Sequence, residues 1–299
     1  MHIYIGLLSC LVCICAGQNY SNWDYSDQGA NWVTKFKLCA GTKQSPIDIK
    51  APTCDEGLNN SITFTNYDKT GSSKFTFENN GHSLVLKAPG PDAKVTLGSL
   101  GTFNFHQLHF HWGKDDTKGS EHLHDGKVFP AEMHLVHINS KYSTFQEAQQ
   151  NADGLAVFGV FIKVGQAENT AFNFLSSSPS LIYEGTKVNV TQFAINTLLP
   201  TDQTIFYRYK GSLTSPTCDE IVTWTVFDQP ISLSASQLAQ FRIVKDNHNK
   251  TLVDNFRVVQ NLNNRTITYW SEEKCGSGAV ALGASIFSAL FSLLLFALL

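Results

Sequence analysis

Charge is scarce in this chain of 299 residues. Asp, Glu, Lys and Arg make up 16% of it, and 22 basic residues face 25 acidic ones. No basic excess is available to follow a phosphate backbone, so nucleic acid is excluded as an expected partner. Between residue 18 and about residue 275 the chain lacks a long linker, a repeat or a low-complexity tract, which argues for one domain. Helical signals are few and short. Of the seven cysteines, Cys39, Cys54, Cys218 and Cys275 lie in this body with no C-x-x-C spacing, which argues against a thiolate zinc site.

Long apolar runs occur only at the two ends. "MHIYIGLLSCLVCICAG", residues 1–17, ends in small residues and reads as a secretory signal peptide, although its positive region is weak. The competing reading is an apolar first strand. Cys10, Cys13 and Cys15 would leave with it. Residues 279–299 carry no charge and are long enough to span a bilayer. Small residues precede them in "CGSG", and no Lys or Arg follows. This pattern predicts replacement by a GPI anchor after Gly276 or Ser277, within a removed segment 276–299. The alternative is a retained single span. The body, residues 18–275, is thus expected at the extracellular face of the plasma membrane. Four remaining cysteines suggest two disulfides there. Sequons at Asn19, Asn59, Asn189, Asn249 and Asn264 are glycan acceptors in such a compartment.

Strand-like alternation recurs in "SITFTNY", "SKFTFEN", "HSLVLKA", "GTFNFHQLHFHW", "AEMHLVHI", "GLAVFGVFIKV" and "IVTWTVF". "SASQLAQFRIV" and "STFQEAQQNAD" predict short capped helices. The fold class is mainly β (α+β), with short helices outside a sheet.

Strand periodicity assigns faces. Across residues 103–112 it places Phe103, Phe105, Gln107, His109 and His111 on one face. Asn104, His106, Leu108, Phe110 and Trp112 take the other, so His106 points away from the other two histidines. In "AEMHLVHI", Glu132, His134 and Val136 share a face, and His137 lies opposite. If the two strands are neighbours, His134 completes a three-histidine set with an open fourth position, the catalytic zinc pattern. Gln107 and Glu132, each two residues before a histidine, are candidates to fix a ring and its tautomer. The spacing alone leaves open a core that is merely rich in histidine.

These motifs resemble the α-class carbonic anhydrases. "QLHFHWG", "GSEH" and "AEMHLVH" are joined, in the family's order, by "QSPIDI" (44–49), "NNGHSLVL" (79–86), "GLAVFG" (154–159), "YKGSLTSP" (209–216), "VTWTVF" (222–227) and "NFRVVQ" (255–260). "NWDYSDQGANW" resembles the family's N-terminal segment. The likeness covers about residues 20–272, and with the terminal signals it resembles the secreted or GPI-anchored members. It implies a central, mostly antiparallel twisted sheet of about ten strands. It implies one Zn²⁺ per chain and reversible hydration of carbon dioxide to bicarbonate and a proton.

By the same resemblance His109, His111 and His134 are the zinc ligands. Gln107, Glu132 and the main-chain carbonyl of Asn255 are their supporting acceptors. Glu121 and Thr214 form a coupled pair that aims the attacking oxygen. His82 is the proton shuttle, with Tyr25 and Asn80 holding the intervening waters. Val136, Val157, Leu213 and Trp224, with Thr214 and Ser215, line the substrate pocket. Cys39 and Cys218 match positions bridged in many extracellular members; pairing Cys54 with Cys275 is an inference from the two that remain. His122 is expected to be structural, His137 hydrogen-bonded within the sheet, His82 exposed, and His124 and His248 solvated. Val85 stands where many members have Asn or Gln, which implies a different water network on the polar half of the pocket, and Asp24 replaces a common Gly beside Tyr25; neither touches the metal or the orienting pair. Some family-like domains are extracellular binding or adhesion modules. Those usually lose a zinc histidine, and this chain keeps all three.

Overall fold

A computed structural model describes residues 23–276, apart from residues 89 and 91. The expected signal peptide, Asn19, Ser277 and the apolar tail lie outside the described residues.

Among the described residues fifteen strands form. β1 (Asp48–Ile49), β2 (Thr53–Cys54), β3 (Ile62–Thr65), β4 (Lys74–Asn79) and β5 (Leu84–Lys87) come first. β6 (Lys94–Leu97), β7 (Thr102–Trp112), β8 (Leu123–His124), β9 (Ala131–Asn139) and β10 (Leu155–Gly165) follow. β11 (Lys187–Thr191), β12 (Phe206–Gly211), β13 (Val222–Phe227), β14 (Ile231–Ser234) and β15 (Thr268–Tyr269) complete the set. The main sheet runs β11-β4-β5-β7-β9-β10-β13-β12-β15-β2 through ten strands, with β3, β6 and β14 attached beside that path. Neighbours are mostly antiparallel, and β10 pairs parallel with both β13 and β14. β1 and β8 form a separate parallel pair.

Helices stay short and peripheral. Ser234 and Gln237 cap Ala235–Phe241 reciprocally, and this helix stops before the rest of "SASQLAQFRIV". In "STFQEAQQNAD" only Phe145–Ala148 is helical, started by the Thr144 side chain accepting from the Glu147 N–H.

The sheet buries both faces, because apolar residues alternate on both sides of its central strands. One face carries Phe103, Phe105, Leu108, Phe110, Trp112, Leu135 and Phe158; the other carries Val136, Val157, Tyr209 and Trp224. Strict alternation fails once. A β-bulge between Phe105 and Gln107 adds one residue to β7. The extra residue reverses the phase, so Phe103 and Phe105 turn away from His109 and His111 into the aromatic core. Burying each of these rings contributes roughly 1.5–3 kcal/mol, which favours the bulge over a regular strand. His106 sits in the bulge with its ring stacked on Phe145 at 5.4 Å. Among the described residues it joins no metal-binding group, but the bulge rather than simple alternation sets its direction.

His137 lies in the core, fully buried, bonded to the Tyr67 hydroxyl and to the Ala156 carbonyl. Burial lowers its pKa to about 3, against 6.5 when unfolded. Between those values the unfolded chain binds a proton that the native chain refuses. The stability this neutral ring contributes is therefore present above pH 6.5 and is lost as pH falls. Urea titrations should show a loss of roughly 1.4 kcal/mol per pH unit below 6.5 from this group. His137→Gln should remove one proton's worth of that slope; an unchanged slope would refute the assignment.

Candidate metal centre

β7 and β9 pair antiparallel with His109 opposite His134 and His111 opposite Glu132. This register brings the three histidine rings together. Ring centroids stand 5.1 Å apart for His109–His111, 5.2 Å for His109–His134 and 4.6 Å for His111–His134.

Each ring is held by an acceptor on the nitrogen away from the others. His109 Nδ1 donates to Gln107 Oε1 at 3.0 Å, and His111 Nδ1 to the Asn255 carbonyl at 2.7 Å. His134 Nε2 donates to Glu132 Oε1 at 2.8 Å. These bonds leave His109 Nε2, His111 Nε2 and His134 Nδ1 as free lone pairs, and one ligand atom from each residue lies within 4.8 Å of the others. Burial is the leading reason that all three rings have lowered pKa values, His111 to about 4. They are neutral at pH 7, as ligation needs. His111 Nε2 is buried without a hydrogen-bond partner, an uncommon loss unless a cation satisfies it. An all-nitrogen trio with no thiolate suits zinc.

Glu132, fully buried, joins this centre to its support. Its Oε2 accepts from the Glu121 and His122 N–H groups at 2.9 and 2.8 Å. Its Oε1 also accepts from His122 Nδ1 at 2.7 Å. His122 Nε2 meets the Tyr209 hydroxyl at 2.6 Å, which in turn donates to Ser45 Oγ. His122, Glu132 and His134 also sit close enough to hold a cation, but both carboxylate oxygens are already spent on N–H donors. Burial alone would raise the Glu132 carboxyl; the His122 charge and the bonds from His122 and His134 reverse this and hold it well below the usual range.

Glu121 reaches the centre from the loop before β8. Its Oε2 lies 3.5 Å from His111 Nε2 and 3.9 Å from His134 Nδ1, buried and without a partner of ordinary geometry. Its Oε1 accepts the Arg257 N–H at 2.8 Å. Burial raises this carboxyl to about 7, opposed by His134, the Thr214 hydroxyl and the Arg257 N–H. Thr214 is buried in the loop after β12. The Cys39–Cys218 disulfide braces that loop, and Gln44 Nε2 donates to the Cys218 carbonyl at 3.1 Å. Ser215, half-buried, accepts the Cys218 N–H at the loop's turn.

Val136, Val157 and Trp224 are cross-strand neighbours in β9, β10 and β13, and the Trp224 ring stands 4.7 Å from His134. Leu213 packs on the same apolar cluster. This wall therefore borders the histidine trio. Val85 sits opposite His109 in β5.

His82 differs from the expected exposed residue. It is half-buried, with its ring stacked on Trp23 at 3.9 Å and nearly parallel. Its carbonyl accepts from Asn255 Nδ2 at 3.0 Å. Tyr25 is buried edge-on against Trp23 and Trp32. Asn80 Oδ1 accepts the His82 and Ser83 N–H groups, so its oxygen holds the turn. His124, expected to be solvated, is half-buried and bonded to the Tyr207 hydroxyl at 3.0 Å; its ring lies parallel to that of Phe161 at 6.4 Å. His248 is exposed.

Ser45, Tyr209 and Arg257 complete this support without any signal of their own in the sequence. The Arg257 guanidinium donates to Gln44 Oε1 and to the Ser45 and Cys39 carbonyls. All three residues lie in or beside the quoted motifs, but no spacing rule distinguishes them there.

Residues 27–271 match the family model described as eukaryotic-type carbonic anhydrase. Among curated relatives, "Carbonic anhydrase 6" of Bos taurus is 35% identical over 264 residues, covering 85% of this chain and 82% of that protein. "Carbonic anhydrase 7" of Mus musculus is 38% identical over 256 residues, covering 82% and 96%. "Carbonic anhydrase 12" of Homo sapiens is 34% identical over 290 residues, covering 92% and 81%.

Proposed function

The chain belongs to the eukaryotic-type carbonic anhydrase family, and from that premise we propose zinc-dependent, reversible hydration of carbon dioxide at the extracellular face of a membrane. The observation that carries the zinc reading is the trio of neutral, individually anchored histidines beside an apolar wall. Zinc held there would acidify water enough to supply hydroxide near neutral pH, the known chemistry of this family.

The protein's own residues do the rest. Gln107, Glu132 and the Asn255 carbonyl set the ring tautomers. A Thr214 hydroxyl that donates to Glu121 has only a lone pair left to offer, so it orients the attacking oxygen toward the substrate carbon. Val136, Val157, Leu213 and Trp224, with Ser215 at the loop, form a dry slot suited to an uncharged molecule and ill-suited to retaining an anion. His82 takes the proton and passes it to buffer, with Tyr25 and the Asn80 amide nitrogen ordering water between. Burial lowers the His82 pKa from 6.5, partly offset by Asp24 and Asp246, so the ring is neutral at pH 7 and ready to accept.

The two disulfides, Cys39–Cys218 and Cys54–Cys275, support an oxidising compartment. Asn59, Asn189, Asn249 and Asn264 are all exposed, as glycan carriers must be. Cys54–Cys275 ties the chain to the body directly before Gly276, which suits anchor attachment at Gly276 or Ser277. A phospholipase that cleaves GPI anchors should release activity from cells; activity that stays bound favours a retained span.

Stopped-flow hydration assays test the reaction. Activity should vanish with a strong chelator and return with Zn²⁺, and chelator-insensitive activity would overturn the zinc reading. His82→Ala should slow turnover on the order of 10²-fold in dilute buffer and recover with added imidazole. An unchanged rate in dilute buffer removes His82 from that role.

A further inference from the structure

On the sheet face away from the histidines, β12 carries Arg208 and Lys210 two residues apart, opposite Thr225 and Thr223 of β13. Arg208 is only 8% exposed. Its Nε donates to Thr225 Oγ1 at 3.2 Å and its Nη1 to Ser61 Oγ at 3.4 Å. Its Nη2 is buried with no hydrogen-bond partner. The guanidinium rests 4.9 Å from the Phe206 ring. Arg208 and Lys210 border a cavity of about 360 Å³ whose rim includes Gly57, Ser99 and Thr266. Gly57, Ser99 and Thr266 are exposed, so the cavity opens to solvent.

A buried guanidinium is costly unless hydrogen-bonded and neutralised. Among the described residues the acid acting on Arg208 is Asp55, which spends Oδ1 on the Gly57 N–H and forms no ion pair with it. Lys210 Nζ donates one bond, to Thr223 Oγ1 at 2.6 Å, leaving two of its three donors. Arg208 and Lys210 therefore border one solvent-connected cavity with donors to spare, two on the Lys210 ammonium and the buried Nη2 of Arg208, and its wall holds serines and threonines beside Leu58, Leu97 and Leu100. Planar guanidinium forks and ammonium donors suit a compact oxyanion with several acceptor oxygens.

We propose that this cavity is an anion site, distinct from the metal centre, that takes a tetrahedral oxyanion of the phosphate or sulfate type between Arg208 and Lys210. Asp55 at its edge limits the affinity by repulsion. Arg208 and Lys210 point to the opposite side of β12 and β13 from Trp224, while Tyr209, which bonds His122, borders the cavity as well.

The test uses the folded chain stripped of zinc with a chelator, so that anions cannot act at the metal. Inorganic phosphate and sulfate are titrated separately at constant ionic strength, with binding followed by calorimetry and thermal midpoint. Saturable binding is expected, with the midpoint rising on the order of 5 °C at a hundredfold excess over Kd. Lys210→Gln should weaken binding at least tenfold. Asp55→Asn, which keeps the helix-starting acceptor, should tighten it several-fold. Arg208→Met should abolish it, and should be at least as stable as the parent chain without anion, since it removes an unpaired buried charge. Absence of saturable binding, or binding that ignores both Lys210→Gln and Asp55→Asn, would overturn the proposal. The Lys210 and Asp55 variants keep it testable should Arg208→Met fail to fold.

Discussion

His111→Ala should leave the chain without stoichiometric zinc and reduce carbon dioxide hydration by at least about 10⁴-fold, most of the 10⁶-fold or greater acceleration typical of enzymes. His111 is a proposed ligand whose Nε2 is buried without a hydrogen-bond partner. The residue is 2% exposed and its Nδ1 is locked on the Asn255 carbonyl. Two histidines on separate strands would remain, too few for a catalytic zinc site. Elemental analysis for zinc and stopped-flow rates on the same preparation give the result. His106→Ala is the matched control, since it removes a histidine from the same strand outside the trio, and zinc and rate should stay near the parent values. Full zinc content and activity in the His111 variant would refute the assigned centre.

Glu132→Gln should have the largest effect on stability, roughly 3–5 kcal/mol, a large share of the 5–15 kcal/mol that holds a typical domain folded. Four N–H groups converge on this carboxylate: those of Glu121 and His122 from the main chain, and the His122 and His134 rings. An amide accepts on one side only, so its NH₂ group must face donors that it cannot satisfy. The carboxyl is depressed in the native state. Its contribution is therefore present above the ordinary carboxylate pKa near 4.5 and is lost as pH falls through the lower folded value. The difference in urea midpoint between parent and variant should accordingly shrink in acid. Gln107→Ala is the milder companion: Gln107 is half-buried and holds only the His109 ring, so zinc affinity should fall about 10- to 100-fold without unfolding. Equal stability of the Glu132 variant and its parent at pH 7 would show that these four bonds do not constrain the fold.

The candidate site was legible in the sequence where it depends on neighbours along one strand. Gln107, His109 and His111 share a face because nothing interrupts β7 after the bulge, and Glu132, His134 and Val136 share one because β9 is regular. The same rule failed for Phe103 and Phe105, because the apolar positions change phase from 103 and 105 to 108, 110 and 112, a break that unbroken alternation ignores and that the bulge accounts for. His82 was read as exposed because a turn after "NNG" predicts exposure, while its cover, Trp23, comes from a segment about sixty residues earlier. Glu121, Thr214 and the Asn255 carbonyl were reached only through family likeness, being respectively a loop acid, a loop hydroxyl and a main-chain atom.

The sequence by itself thus determined a strand-rich body and which histidines face together, because side-chain alternation is a property of a few consecutive residues. Only the tertiary structure decided that His109 lies opposite His134, that Asn255 closes on His111 from 144 residues away, and that Arg208 is buried with an unused nitrogen. Those facts depend on which distant segments bury one another, and the long-range packing that settles this is not a local property of the chain.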